Sequence, residues 1–171
     1  MKRILLLIYC CLTTIFMVNA QKFALIDMEY IMENIPAYQQ ANEELNIVSQ
    51  QYQKAIEAKA KEAETLYKAY QKASNSLSAA QRTQKEEAII AKEKEAAELR
   101  QKYFGPEGEM AQKQETLITP IQDKVYEAVK RISQQKGYDA VIDRASATSI
   151  IFASPRIDIS NDILFILGYS K

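Results

Sequence analysis

Ser74-Asn75-Ser76-Leu77-Ser78 (SNSLS) stands in the middle of a run, Ala37 to Phe104, that contains neither glycine nor proline. A run of that kind, rich in alanine and in charge, reads as helix. One unbroken helix of that length would extend about 100 Å at 1.5 Å per residue. The SNSLS stretch argues against it, because serine and asparagine side chains compete for backbone hydrogen bonds and favour turns and caps over helix interiors. The stretch therefore predicts a hairpin of two helices. Its first arm starts at about Pro36, a residue suited to a first helical turn, and ends near Ala73; its second starts near Ala79.

Outward from the turn, apolar residues mark the faces that meet. Tyr38, Ala41, Leu45, Val48, Tyr52 and Ala55 alternate spacings of three and four, the seam of a coiled coil. Beyond Ala55 the seam shifts to Ile56, Ala63, Leu66 and Tyr70, and in the second arm Ile89, Ala96, Leu99 and Tyr103 continue it. With the turn centred on Ser76, antiparallel pairing sets Ala63 near Ile89, Ile56 near Ala96 and Tyr52 near Leu99. Lys59 and Glu62 interrupt this seam and many of its positions are alanine, so the arm is expected to be marginal alone and flexible along its length. Tyr52, Leu66, Tyr67, Tyr70 and Leu77 remain large enough to touch something else. Either they pack between the arms or they line a surface that binds apolar segments of other chains.

Charge is distributed unevenly along the same run. No acid occurs between Glu64 and Glu86, whereas Lys68, Lys72, Arg82 and Lys85 all do. The hairpin folds these four together into a basic, hydroxyl-rich tip. Two readings stand: a solvated helix surface that lacks acids, or a patch attracted to anionic surfaces such as membrane headgroups or lipopolysaccharide.

The second arm breaks at Gly105-Pro106-Glu107-Gly108. Gly105, Pro106 and Gly108 form either a hinge or a tight turn with no mechanical role. Helix resumes from Glu109 to Ile118. Thr119-Pro120-Ile121-Gln122 then carries a capping-box signature with proline at the first helical position, so a new helix or a kinked continuation is expected there. Ile121, Val125, Ala128 and Ile132 form its apolar face and Gly137 ends it.

The flanking segments read as a small head. Lys22–Asp27 (KFALID), Tyr138–Asp143 (YDAVID) and Ser149–Ala153 (SIIFA) are predicted strands, with Asp27 capping a helical turn over Met28–Asn34 and Ser160 capping a last helix, Asn161–Leu167, closed by Gly168. So thin a core favours burial through assembly, and a trimer would supply it. The expected organisation is a signal peptide over 1–20, a body built from 21–36 plus 119–171, and an arm over 37–118 with its tip near 74–78.

Composition narrows the chemistry. Lys2 and Arg3, the apolar stretch Ile4–Val18 and the small-residue site Val18-Asn19-Ala20 read as a cleaved secretory signal. Both cysteines, Cys10 and Cys11, lie within it and histidine is absent, so the mature chain has no thiolate, no disulfide and no imidazole base. Asp27, Asp139 and Asp143 sit where caps and strand ends explain them. Neither metal-ligand spacing nor a phosphate-binding glycine loop is present. An enzyme is therefore not expected, nor a cofactor, nor a nucleic-acid partner. Acidic and basic residues balance at 22 each, and loss of Lys2 and Arg3 leaves the mature chain slightly acidic.

The signal, the KFALID strand leading to Ile35-Pro36-Ala37-Tyr38, the charged alanine-rich hairpin, the strand Gly137–Asp143 and the closing Leu167-Gly168 together resemble the Skp (OmpH) family of periplasmic chaperones, over essentially the whole mature chain. The resemblance implies an α+β fold: a homotrimer whose strands form a small central β-barrel body, with helical hairpins projecting as tentacles around a cavity. It also implies an ATP-independent holdase for unfolded outer-membrane proteins in the periplasm. The chain departs from that family in its slightly acidic balance and in the Gly105–Gly108 break. From the residues alone, a structural coiled-coil adaptor spacing two envelope partners is the alternative.

Overall fold

The computed structural model describes residues 21–147 and 149–169; the expected signal peptide lies outside them. In chain order the elements are β1 (Phe23–Ile26), α1 (Met28–Glu33), α2 (Pro36–Ala73), a 3-10 turn (Ser74–Ser76), α3 (Ala79–Phe104), α4 (Glu109–Lys136), β2 (Ala140–Asp143), a second 3-10 turn (Pro155–Ile157) and α5 (Ser160–Ile166). The protein is mostly helical. It divides into two compact units, one of residues up to Ile31 together with those from Val125 on, the other Met32–Lys124.

The second unit holds the long helical hairpin that the SNSLS stretch predicts. Ile35 is extended before Pro36, as the proline ring demands of its predecessor, and α2 then runs uninterrupted to Ala73. The hydroxyls of Ser74 and Ser76 donate back to the carbonyls of Gln71 and Ala73, at 3.0 and 2.8 Å, and tighten the last turn. Leu77 is extended, and Ser78 opens α3 with a full capping box: its Oγ accepts from the Gln81 N–H and the Gln81 side chain accepts from the Ser78 N–H. Two helices thus start and stop within five residues through side-chain hydrogen bonds alone.

The arms meet about two residues out of the expected register, close enough that Ile56 and Ala96 still line one recess. Tyr52 pairs with Tyr103 and Phe104 rather than with Leu99, and Lys59 and Glu62 reach Glu95 and Lys92. The cause is the turn. An extended Leu77 and a capping Ser78 move its centre past Ser76, so every residue of α3 faces α2 from a position displaced toward its own C-terminus. Buried apolar side chains are few along the arm: Ala41, Ile56, Ala63 and Ile89. A buried isoleucine contributes about 2–3 kcal/mol and an alanine far less, so two isoleucines over such a length make a lightly held pair.

Of the two expectations at Thr119–Gln122, the helix continues rather than starting anew. Pro120 lies inside α4, and the capping box at Thr119–Gln122 does not form. The buried stripe Ile118, Ile121, Val125, Ala128 and Ile132 keeps spacings of three and four straight through the proline. Continuity of that apolar face outweighs the single backbone hydrogen bond that proline forfeits.

In the other unit β1 and β2 pair in parallel, Phe23 opposite Ala140 and Ile26 opposite Asp143. Ala24, Leu25 and Ile26 are buried with Ile31, Val125, Ala128, Ile132, Ile159, Ile163 and Leu164. The expected third strand, Ser149–Ala153, is not one. β1 has β2 on one edge, and its other edge is taken by Asp158, which bridges Leu25 while the Ile159 N–H donates to the Leu25 carbonyl at 2.9 Å. Ser149–Ala153 pairs with no strand among the described residues, and Ile151 and Phe152 stand in solvent at 101% and 85% exposure. Asp27 caps α1 as expected, accepting from the Tyr30 N–H at 2.9 Å. Ser160 does not cap α5: it is buried, accepts from the Asp27 N–H at 2.8 Å and donates to Asp158, whose Oδ1 takes the Ser160 N–H. Arg144 ties Asp27 to Asp158 at 3.0 and 3.4 Å and closes the network. Gly137 and Gly168 end α4 and α5 with φ of +68° and +84°, values that suit glycine.

Candidate functional site

The faces and the tip of the arm carry most of the residues singled out from the sequence. Its middle is crossed by four charges. Lys59 contacts Glu95 at 3.1 Å and Glu62 at 3.5 Å; Lys92 contacts Glu62 at 3.2 Å and Glu95 at 3.0 Å. Bonds from Lys92 first, then from Lys59, hold the Glu95 carboxyl below its usual range, and the Lys92 bond does the same for Glu62. Glu95 and Glu62 in turn raise Lys92. Lys59 and Glu62 look like interruptions of the seam in sequence. The signal for their pairing was the mirror order of two i,i+3 pairs, Lys-Glu on each arm.

At the Gly105 end of the arm lies an aromatic cluster. Tyr103 stacks on Tyr52 and Phe104 meets Tyr52 edge to face, with centroids 6.3 Å apart. The Tyr52 hydroxyl donates to Glu109 at 2.6 Å, and Lys102 contacts the same carboxylate at 3.2 Å. These bonds, the tyrosine's first, hold Glu109 below the ordinary carboxylate range, and the bond to Glu109 raises Tyr52. Lys113 and Glu44 tie α4 to α2 at 2.8 Å. Between Phe104 and Glu109 the chain makes a tight turn in which the Gly108 N–H donates to the Gly105 carbonyl at 2.9 Å. Gly108 is buried, and a Cβ on it would come within 2.9 Å of three backbone atoms, the Gly105 nitrogen and the carbonyl oxygens of Lys102 and Tyr103.

The five large side chains separate into two groups. Tyr52 is half-buried in the cluster just described. Tyr70 is half-buried and donates to Glu86, which raises its own titration. Leu77 is half-buried in the turn. Leu66 and Tyr67 are exposed at 39% and 49%. Sequence reasoning missed three exposed apolar residues of the arm, Ile47, Ile90 and Phe104. Ile90 was legible from its neighbour: once Ile89 points into the seam, the next residue is turned about 100° away from it.

At the tip Lys68 pairs with Glu64, which is held below its usual range by that contact. Lys72, Arg82 and Lys85 pair with no acid among the described residues. In the strand-bearing unit, Phe23, Tyr126, Ile142 and Phe165 join Ile151 and Phe152 as exposed large apolar groups. Burial pushes the Asp143 carboxyl up, but the Met28 N–H, with Ser146 and Ala145, more than offsets it and the group sits low. Among the described residues no cluster of three or more His, Cys, Asp and Glu could hold a metal ion, and no helix is long and apolar enough to cross a membrane.

Comparison with known proteins agrees with this architecture. The family model described as outer membrane protein (OmpH-like) matches residues 22–167. A chaperone protein Skp from Yersinia enterocolitica is 24% identical over 147 residues, which cover 86% of each chain. The crystal structure of an OmpH-like protein from Caulobacter crescentus superposes with a TM-score of 0.65 at 12% identity, over 86% of this chain and 83% of that one, a likeness of fold.

Proposed function

Because the chain belongs to the outer membrane protein (OmpH-like) family, and the relatives it resembles are chaperones, we propose that it is an ATP-independent holdase of the periplasm that keeps unfolded outer-membrane proteins soluble. The observation that carries this reading is the arm itself. It is long, held by few buried apolar side chains, and leaves Leu66, Tyr67 and Ile90 exposed with no apolar cover. An unfolded barrel protein crossing an aqueous compartment is endangered by strands with one apolar face. Many weak contacts from a yielding wall hold such a chain without fixing its structure. Release needs no nucleotide when insertion into the membrane is the lower free-energy end state.

The working assembly in this reading is a homotrimer. Ile151 and Phe152, exposed on a segment that finds no partner strand among the described residues, are the groups that assembly would cover. The basic tip adds a second contact, to anionic lipid or lipopolysaccharide, for which Lys72, Arg82 and Lys85 are the free cations. For Gly105, Pro106 and Gly108 the packed turn favours a braced corner over a hinge.

Dilution of a urea-unfolded porin into buffer with and without the mature protein, followed by light scattering, tests the holdase. Suppression of scattering without ATP is expected. Equal aggregation in both samples, with tight binding to one folded envelope protein, would sink the chaperone reading in favour of the adaptor.

A further inference from the structure

On one face of the arm α2 and α3 leave a notch of about 440 Å³. Its walls are small: Ala60 and Ala63 from α2, Ala96 and Ala97 from α3, with Ile56 at one end and Tyr67 at the other. Two helices that face each other through alanine leave an open recess on the surface, room that a larger side chain could fill. Ile90 precedes Ala97 by two helical turns, so it shares this face, and it is 61% exposed. The notch and Ile90 thus lie along one face of α3.

Its rim is charged in a definite order. Glu64 and Glu93 line it, and so does Arg100. The register fixed by Glu62 with Lys92 and Lys59 with Glu95 sets Glu93 toward the Tyr67 end and Arg100 toward the Ile56 end. Glu64 is engaged by Lys68, but the side chains of Glu93 and Arg100 enter no ion pair among the described residues, on an arm whose middle is otherwise laced by them. Seven residues separate the two, about 10.5 Å along the axis. In an extended chain alternate side chains share a face, and the two that flank a central one lie about 13 Å apart. Long charged side chains close that difference.

We propose that this notch receives a bulky apolar side chain, preferably aromatic, from an extended client segment, with a basic residue two positions to one side against Glu93 and an acidic residue two positions to the other against Arg100. The proposal rests on the chaperone reading and names the sequence pattern that the arm prefers. Strands of outer-membrane barrels supply such patterns where aromatic girdles border the charged interface.

A short serine- and threonine-rich peptide with benzoylphenylalanine at its centre, lysine two positions before and glutamate two positions after, is the probe. Companion peptides carry lysine, or glutamate, on both sides. Irradiation with the full mature protein and mass spectrometry should place crosslinks around Ala60, Tyr67 and Ala97, with the mixed-charge peptide giving the highest yield. Ala97→Leu fills the notch from an exposed position and should lower that yield about tenfold, as expected for excluding one aromatic side chain, with an unchanged helical melt. Glu93→Arg should move the preference to the peptide with two glutamates. Equal yields from all three peptides, or a yield indifferent to Ala97→Leu, would overturn the notch. Porin light scattering keeps the two ideas apart: suppression by a protein whose crosslinking ignores Ala97→Leu leaves the chaperone standing without the notch. Crosslinking at the notch by a protein that suppresses nothing rejects the chaperone instead.

Discussion

The ring of Tyr52 in α2 lies flat on that of Tyr103 in α3, with centroids 3.9 Å apart and planes 2° from parallel. The contact sits where the arm has few other large side chains, next to the Gly105–Gly108 turn, and it joins the two helices while the Tyr52 hydroxyl reaches Glu109 in α4. Tyr103→Ala should therefore destabilise the arm, by about 1 kcal/mol for the ring pair and more for lost burial, and lower its thermal midpoint accordingly. Tyr52→Phe keeps the stack and removes only the hydroxyl bond, so its loss should be the smaller, about 1 kcal/mol at most. Circular dichroism melts that rank the two the other way would show the hydrogen bond, not the stack, to be the main tie.

The four-charge crossing predicts a pH dependence. Glu62 and Glu95 titrate below the usual carboxylate value, so their stabilisation is complete above about pH 4.3 and is lost as pH falls through the lowered folded values. Lys92 is raised, so its share is complete below about pH 10.4 and is lost as pH rises through the folded value. Glu95→Gln should remove most of the acid-limb dependence, since Glu95 contacts both lysines. In 1 M salt the difference between parent and variant should shrink, because these side chains are only half-buried and remain open to screening.

Much of this was legible from local chemistry. SNSLS announced a turn because serine and asparagine bond to backbone, and they do so here through Ser74, Ser76 and Ser78. Register was not legible, because it depends on how many residues the turn consumes, and an extended Leu77 displaced it. At Pro120 local chemistry left a new helix and a continuation both open, because a cap signal competed with an apolar stripe extending well beyond it, and the stripe won. Ser149–Ala153 has strand composition, but composition alone does not secure a partner, and the second edge of β1 goes to Asp158 instead. The exposed Leu66 and Tyr67 were named from size alone, whereas the alanine notch beside them could be seen only once α2 and α3 were set face to face.

Gly108→Ala tests the braced corner. The added Cβ would meet three backbone atoms at 2.9 Å, none of which can move without opening the turn, so a destabilisation of about 1–3 kcal/mol is expected. Tyr52 fluorescence or its titration should change with it, since Glu109 follows the turn directly. A variant as stable as the parent would mean that the corner yields readily and would restore the hinge.

Trimer formation is expected to depend on the exposed pair in the strand-bearing unit. Ile151→Asp and Phe152→Asp place charge on side chains that are 101% and 85% exposed in the single chain, so neither should unfold a protomer. Burying those charges in an assembly would be costly. Size-exclusion chromatography with light scattering should report a trimer for the parent and protomers for the double variant. A trimer unaffected by both aspartates would place the interface elsewhere.

The tip offers the last test, and its geometry separates four cations that the sequence treats alike. Lys68 is offset by Glu64 one turn away, whereas Lys72, Arg82 and Lys85 have no acidic partner among the described residues. Attraction to an anionic surface scales with uncompensated charge and falls off within a Debye length, about 10 Å at 0.1 M salt. The triple change Lys72→Gln, Arg82→Gln, Lys85→Gln should therefore abolish most adsorption to vesicles of anionic lipid at low salt, while Lys68→Gln alone should change it little. Both proteins should keep the parent's oligomeric state and its effect on porin scattering, because neither set touches the aromatic stack, the four-charge crossing or the exposed pair. Adsorption that falls equally with Lys68→Gln would show that the Glu64 contact opens at the surface. Adsorption untouched by the triple change would leave the tip a solvated end of a helix pair.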